Sequence, residues 1–376
     1  MLAGAVLIVA SPSIVGGIAS ALSREPAVAP AELLQRALRS AAVPHVGLAE
    51  SRGSLGLPDV RRFGDVAALL GGTTRARVWW VSTGSWRAAR LLPSGEQDLY
   101  AVGDTLTVSW DYERNRQRTT VGEDAMRLPR VDDLLPPQAA RRLLGALGPD
   151  DRVTATPMRR VAGRDAAGLR IVPAPTGPAG AADATIGAVD AWVDPDSGLP
   201  LAVAVRDRAG GTAFESTFLD VDLRAPADTD VTVPTPEGAR IETGDAPDLV
   251  ALVDRYARGR LPGSLAGRDR VAGVLAASSE GGQGTATYGS GLARFVVVPL
   301  PPGTADDVLD AVRLRTTVDD VPGGRLGVLA SGIVTAAVAV REGGQGSYLL
   351  AGLVSRELLT AAAKDLLTNP EAVAVQ

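Results

Sequence analysis

The sequence predicts an α+β chain in which one large antiparallel sheet is followed by a smaller mixed domain. Three observations predict it. Alternating apolar and polar runs are joined by turns of only a few residues, and such short connections require successive strands to pair antiparallel. Helical periodicity is confined to a few short stretches. Past the midpoint of the 376 residues, a stretch carrying Pro226, Pro234, Pro236 and Pro247 interrupts both patterns. At roughly 150 residues per domain the length also favours two domains.

The segment Met1 to Leu22 has no charged residue, and its length approaches the run needed to cross a bilayer. Gly, Ser and Pro12 dilute it, and Ala19-Ser20-Ala21 has the small-x-small form of a cleavage site. Residues 1–22 are therefore read as a signal peptide or membrane anchor, although the basic residues that usually precede such a core are missing. The expected location is outside the cytoplasmic membrane, secreted or anchored at its outer face. A buried helix of the globular part is the alternative.

Ala31 to Ala42 reads as a short amphipathic helix with Leu33, Leu34, Leu38 and Ala41 on one side. Val78 to Val81, Trp86 to Leu92, Gln97 to Val102 and Thr105 to Tyr112 follow as strands separated by Gly- and Pro-bearing turns. In the last strand Leu106, Val108, Trp110 and Tyr112 share one face, and Thr105, Thr107, Ser109 and Asp111 share the other. Pro136 to Leu147 is a helix stopped by Gly148-Pro149. Strands resume at Arg152–Thr156, Arg159–Val161, Gly168–Val172, Gly187–Val193, Leu201–Asp207 and Thr212–Leu223. If this sheet curls, the helices can cover its concave side.

Residues 31–224 thus form the first domain and 225–248 a Pro-rich linker. The second domain, 249–376, begins with a helix at Leu249–Ala257, for which Asp245 is the candidate cap. Strands are expected at Val271–Ala277, Thr285–Leu300, Leu326–Leu329, Val334–Arg341 and Ser347–Val354. Helices are expected at Asp307–Leu314, behind a capping-box variant at Thr304, and at Glu357–Leu367. Glu280-Gly281-Gly282-Gln283-Gly284 recurs as Glu342-Gly343-Gly344-Gln345-Gly346. No helix start follows either copy, so both read as hairpin turns and not as phosphate-binding loops.

Composition removes much chemistry. The chain has no cysteine, one histidine (His45), one lysine (Lys364), and a formal charge of -5 from 38 basic and 43 acidic residues. Thiol nucleophiles, thiolate metal sites and multi-histidine sites are excluded, and the acidic balance argues against nucleic acid. No cofactor or metal is expected, and neither G-x-S-x-G nor H-E-x-x-H is present. Adjacent pairs such as Asp132-Asp133 do not converge on a helix or strand, which makes them poor acid–base dyads. Asp194 and Asp196 read as ordinary turn residues. His45, with Pro44 before it, is placed just past the first helix as a structural or surface ring. Arg114, Arg116 and Arg118 alternate on one strand face and are read as solvated, or as a contact for anionic headgroups or an acidic partner.

The stretch WRAARLLPSGEQDLYAVGDTLTVSWDYERN, Trp86 to Asn115, resembles the amino-terminal domain of exported bacterial proteins of the LolA and RseB/MucB type. AWVDPDSGLPLAVAVRDRAGGTAFESTFLDVDL, with Phe214 and Phe218, is similar to the closing hairpins of that domain, and Leu55-Gly56-Leu57-Pro58 to a motif of actinobacterial members. Independently, Tyr288 to Val298 is similar to the Y-S-D-G-L-x-x-F-x-V element of the RseB carboxyl-terminal domain, with Tyr348-Leu349-Leu350-Ala351-Gly352 matching a later strand. Gly289 and Ser290 depart from that element, as does the Pro299-Leu300-Pro301-Pro302 run.

The resemblance implies a LolA-like half-barrel with a helical lid around an apolar cavity, beside an RseB-like α+β domain. It implies lipid or acyl chains as ligand and a membrane anti-sigma factor as partner. The expected function is that of a non-enzymatic RseB-like regulator of an extracytoplasmic-function sigma system; the alternative is a LolA-like carrier of lipid or lipoprotein. Candidate ligand-binding residues are Trp80, Leu106, Val108, Trp110, Tyr112 and Trp192, for which ordinary core packing is the competing reading. Tyr288, Leu292 and Phe295 are the candidate partner-binding residues.

Overall fold

The computed structural model describes residues 28–54, 69–122, 127, 129–177, 183–235, 237–257, 259–271, 284–344 and 346–369. The candidate export segment, the Leu55–Pro58 motif and the first Glu-Gly-Gly-Gln-Gly copy lie outside these residues, apart from Gly284. Among the described residues no helix is long and apolar enough to cross a membrane, and no group of three potential metal ligands occurs.

The architecture is α+β. The chain opens with α1 (Pro30–Arg39), extended by a 3-10 turn, Ser40–Ala42. There follow β1 (His45–Gly53), β2 (Thr73–Ser82), β3 (Ser85–Leu92), β4 (Gly95–Val102), β5 (Leu106–Asp111) and β6 (Arg116–Val121). A 3-10 turn, Val131–Leu134, leads into α2 (Pro136–Gly145). Next come β7 (Arg152–Val161), β8 (Arg164–Val172), β9 (Ile186–Val193), β10 (Pro200–Asp207) and β11 (Thr212–Asp222). A short helix, α3 (Asp228–Val231), and β12 (Arg240–Asp245) complete this part.

All twelve strands form one open sheet, ordered β12-β6-β5-β4-β3-β2-β1-β11-β10-β9-β8-β7. Every neighbour is antiparallel except β12, which lies parallel to β6. Tight turns explain the meander: Gly103, at φ +66° between β4 and β5, occupies a region that disfavours side chains. Two details differ from the sequence reading. His45 opens β1, a strand the apolar pattern did not reveal because glycine, serine and charged residues interrupt it. The runs Arg152–Thr156 and Arg159–Val161 are one strand with a register shift between them.

The sheet rolls strongly. At about 4.8 Å per strand spacing, β7 and β11 would stand some 19 Å apart on a flat sheet. Yet Arg159 on β7 donates to Thr217 Oγ1 on β11 at 3.5 Å and lies 3.6 Å from Glu215. Strand twist and the β7 bulge close that gap. On the inner face α1 and α2 pack against β7–β11, where Leu33, Ala37, Ala140 and Leu144 meet Leu169, Ile171, Val203 and Val205. The helices thus cover the face opposite to the one on which Arg159 bridges to β11.

The Pro-rich segment is more than a connector. Val233 and Ala239 lie against Tyr100, Val108 and Trp110 on the outer face, and the segment then pairs as β12 on the free edge of β6. It is a strap across the outside of the meander.

The second sheet follows α4 (Leu249–Asp254), β13 (Ser264–Leu265) and β14 (Arg268–Val271). It continues with β15 (Ala286–Ser290), β16 (Ala293–Pro299), α5 (Pro302–Arg313), β17 (Val318–Val321), β18 (Gly324–Ser331), β19 (Val334–Arg341), β20 (Ser347–Gly352) and α6 (Arg356–Thr368). Its order is β13-β14-β15-β16-β20-β19-β18-β17. Helix α6 covers one face. On the other, Gly327 lets α5 approach so closely that a Cβ there would stand 2.9 Å from Val312 Cγ1.

Several local expectations need correction. Asp248, not Asp245, caps α4 by accepting from the Ala251 amide. Helix α5 starts at Pro302, because proline suits the first turn, and Thr304 does not cap it. The expected strand Thr285–Leu300 is a hairpin of β15 and β16. In the second Glu-Gly-Gly-Gln-Gly copy Gly343 takes φ +67° between β19 and β20, as a turn requires.

The two sheets share an interface. Leu292 and Ile333 belong to the apolar cluster around α1 and α2. Ala184 bridges to Val354, Thr185 N donates to Leu353 O at 3.0 Å, and buried Asp183 pairs with Arg268 at 2.5 Å.

Candidate binding site

The inner face divides. From β7 to β3 it is packed, by α1 and α2 at one end and by Val131 and Leu135 at its middle. Over β4 to β6 a cavity of about 720 Å³ remains. Its wall includes Trp86, Leu99 and Ala101, the hydroxyls Thr107, Ser109 and Thr120, and Leu106 at a strand end. Arg127, Arg130, Pro247 and Leu249 also line it. A second space of about 390 Å³ also touches Leu99, Ser109 and Arg130 and reaches Leu69 and Val131. The two form one trough, partly divided at Arg130.

A row of stacked rings ends at this trough. His45, Trp80 and Trp86 are cross-strand partners on β1, β2 and β3. The His45–Trp80 centroids are 6.1 Å apart and the Trp80–Trp86 centroids 5.7 Å, with planes 15° and 9° apart. Phe218 meets His45 edge-on, and the Trp80 and Trp86 indole N–H groups donate to Ala41 O and Thr83 O. His45 is fully buried. Its Nδ1–H donates to Val43 O at 2.9 Å, which leaves Nε2 the bare ring nitrogen, without a partner. Burial lowers its pKa to about 4, the Val43 carbonyl opposing and the Arg141 charge adding to the shift.

The arginines at the trough are held by the adjacent aspartates. Asp133 accepts from Arg127 at 2.6 and 2.8 Å and from the Arg130 amide at 2.8 Å, and pairs with Arg142 of α2 at 2.5 Å. Asp132 accepts from Arg130 Nε at 3.1 Å. Burial works against ionisation of Asp133, but the hydrogen bonds and charges of Arg127 and Arg142 hold its carboxyl below the usual range. Arg127 and Arg130 line the larger space, as does Asp104. The Asp132-Asp133 pair thus has a buried organising role that adjacency in the sequence did not reveal.

The structure does not bring the six candidate ligand residues together. Trp80 faces inward but is consumed by the ring stack and only 4 % exposed. Leu106, Val108, Trp110 and Tyr112 belong to the opposite, outer face, where the strap covers Val108 and Trp110; of these Leu106 also lines the larger space of the trough and Trp110 the smaller one. Trp110 meets Tyr112 edge-on at 5.3 Å. Tyr100 and Tyr112 donate to Asp98 Oδ2 at 2.9 and 3.0 Å, and Arg87 pairs with it at 2.8 Å. Burial pushes the Asp98 carboxyl up to about 6 against the pull of Arg87 and of the Tyr100 hydroxyl. Trp192 is also on the outer face, beneath Arg159 at 4.1 Å. The hydroxyl-bearing face of β5 forms the trough wall instead.

The three candidate partner residues are structural. Tyr288 and Phe295 are 0 % and 1 % exposed and stack at 5.5 Å inside the second sheet's core, with the Tyr288 hydroxyl donating to Pro262 O. Leu292, 5 % exposed, completes the core around α1 and α2. None of them offers a surface. Arg114 lies in the β5–β6 turn and not on a shared strand face, while Arg116 pairs with Glu242 at 2.6 Å. Asp194 is the hub of its turn, accepting from the Asp196 and Ser197 amides and pairing with Arg164.

No family model matches the chain, and no curated protein matches it. Solved structures do. The chain is similar to the Pseudomonas aeruginosa MucA/MucB complex at 18 % identity, over 89 % of this chain and 96 % of that one, with a TM-score of 0.47. It is similar to a LolA superfamily protein from Nitrosomonas europaea at 12 % identity, over 55 % and 99 % of the two chains, TM-score 0.24. It is also similar to the Mycobacterium tuberculosis lipoprotein LppX at 13 % identity, over 50 % and 92 %, TM-score 0.28. MucB and LolA-like proteins are thus found among its structural neighbours, as the sequence elements from Trp86 onward led one to expect.

Proposed function

We propose that this chain is a non-enzymatic binding protein of the cell envelope that receives a single-chain amphiphile in the trough over β4–β6. It acts as an RseB-like regulator whose protein partner is a membrane-bound anti-sigma factor. The observation that carries the reading is the unfilled inner face beside a filled one. Its volume of about 720 Å³ falls in the range of sites that enclose small molecules. Trp86, Leu99, Ala101 and Leu106 give an apolar wall against which each buried methylene contributes about 0.8 kcal/mol. The guanidinium groups of Arg127 and Arg130 on the trough wall suit an anionic head.

Native mass spectrometry of the exported protein, with titration of a fluorescent fatty acid, tests this. Thr107→Trp places a bulky ring in the open space. We expect co-purifying lipid and saturable uptake in the parent, and at least a tenfold loss of affinity in the variant. Absence of both lipid and uptake overturns the reading. Carrier and regulator are separated by titrating in the extracytoplasmic segment of a membrane anti-sigma factor from the same organism. A regulator binds it and a pure carrier does not. Truncation at residue 249 is a poor substitute, since Leu292 and Ile333 complete the core around α1 and α2.

A further inference from the structure

The strap draws attention because so little holds its end. Among the described residues β12 is the only parallel member of its twelve-stranded sheet, and parallel pairing is somewhat weaker per residue. Five of its six residues are exposed, Ile241 at 53 %. Arg240 lies directly opposite Arg116, a like-charge pairing that disfavours the register. Glu242 relieves it by bridging Arg116 at 2.6 Å and Arg240 at 3.0 Å. The remaining hold is backbone: Arg240 N donates to Asn115 O and Ala246 N to Val121 O. In a parallel ladder that spacing turns the Glu242 and Gly244 amides toward β6 as well.

The edge beneath is well suited to accept a strand. Without β12, β6 would present a row of unpaired backbone groups, flanked by Arg116 and Arg118 and bearing no acidic residue over 116–121. Directly after β12, Pro247 and Leu249 form part of the trough wall. Whatever occupies the β6 edge therefore also sets one side of the cavity.

We propose that the β6 edge is a strand-acceptor site for an extended, acidic segment of a partner protein, with β12 as its resting occupant. The incoming segment adds parallel to β6 and places a carboxylate where Glu242 now meets Arg116. Recognition is by main-chain hydrogen bonds with charge selection from the arginines. Exchange lifts Pro247 and Leu249 from the wall and opens the trough. This deepens the binding-protein reading by naming where and how a partner segment docks, yet its test uses no lipid.

The probe is a labelled synthetic peptide with the sequence of residues 238–247, titrated against the full chain by fluorescence anisotropy. Gly244→Pro removes an amide that faces β6, and tryptic cleavage after Arg240 reports release of the strap. The peptide is expected to bind Gly244→Pro at least tenfold more tightly than the parent. Adding Arg116→Glu is expected to abolish that gain, and a peptide carrying Arg at the Glu242 position to restore it. A released strap with no peptide binding, or binding indifferent to Arg116, overturns the proposal. A second variant guards against a proline that releases nothing. Thr119 and Thr243 are register partners, and the chain has no cysteine. Thr119→Cys with Thr243→Cys therefore gives one possible disulfide. Peptide binding is expected only after reduction; equal titrations of oxidised and reduced protein, null ones included, also overturn the proposal. Fatty-acid uptake measured separately on each protein reports on the cavity, so failure of one reading is distinguishable from failure of the other.

Discussion

The two halves of the large sheet, β4–β6 and β7–β11, are built by the same antiparallel pairing and have opposite fates. On β7–β11 the inner face carries Leu169, Ile171, Val203 and Val205, and two helices fill the space above it. On β4–β6 the inner face carries Leu99, Ala101, Thr107, Ser109 and Thr120, and the space above it is open. The difference lies in hydroxyls. A face of threonine and serine next to a few apolar residues gains too little from a covering helix to hold one, so it stays available to a guest. One half is closed by helices, and the other is left uncovered among the described residues.

The sharpest test of that division removes the same side chain from both halves. Leu169→Ala, in the filled half at 0 % exposure, is expected to cost about 2–5 kcal/mol. Leu99→Ala, half-buried at the trough, is expected to cost about 1 kcal/mol or less. Urea unfolding of both measures the contrast, and equal losses would dissolve it.

Acid is the next largest perturbation. His45 is neutral when folded, with a pKa of about 4 against 6.5 unfolded. The unfolded chain therefore takes up a proton first, and this contribution, fully present above pH 6.5, is lost as pH falls toward 4. The loss amounts to about 3 kcal/mol at most. Stability measured across that window should fall in the parent and flatten in His45→Phe, which keeps a ring between Trp80 and Phe218. An unchanged slope would relocate the acid sensitivity elsewhere.

The smallest expected effect comes from adding bulk. Val203→Trp forces a ring into packed space and should cost about 1–3 kcal/mol. Thr107→Trp enters open space and should stay within about 0.5 kcal/mol of the parent. Thermal denaturation ranks the two; a Thr107→Trp penalty matching that of Val203→Trp would mean that the trough is already full.

Much of the fold was legible because short turns leave antiparallel pairing as the only choice. The meander and the hairpins of the second sheet follow from that rule. What local pattern could not supply was which side of the meander faces in. Leu106, Val108, Trp110 and Tyr112 form the more apolar face of β5, and the usual expectation turns such a face inward. Here it is covered from outside by Val233 and Ala239, residues more than a hundred positions downstream in a stretch whose prolines suggested a plain connector. Once that stretch is known to return to the sheet, the hydroxyl face becomes the inner wall. His45 does lie just past the first helix as a structural ring, but the strand it opens went unread. Gly47, Glu50, Ser51 and Arg52 interrupt the apolar alternation of β1, and the burial of His45 depends on rings from β2 and β11. Tyr288, Leu292 and Phe295 occupy a family-like element, but a shared element can be shared for packing alone.

Asp133 gives the molecule a mechanical property that neither half has by itself. One carboxylate grips Arg142 on the covering helix and Arg127 and the Arg130 backbone at the trough. A single buried side chain thus fastens the wall of the open space to the helix that closes the other half of the sheet.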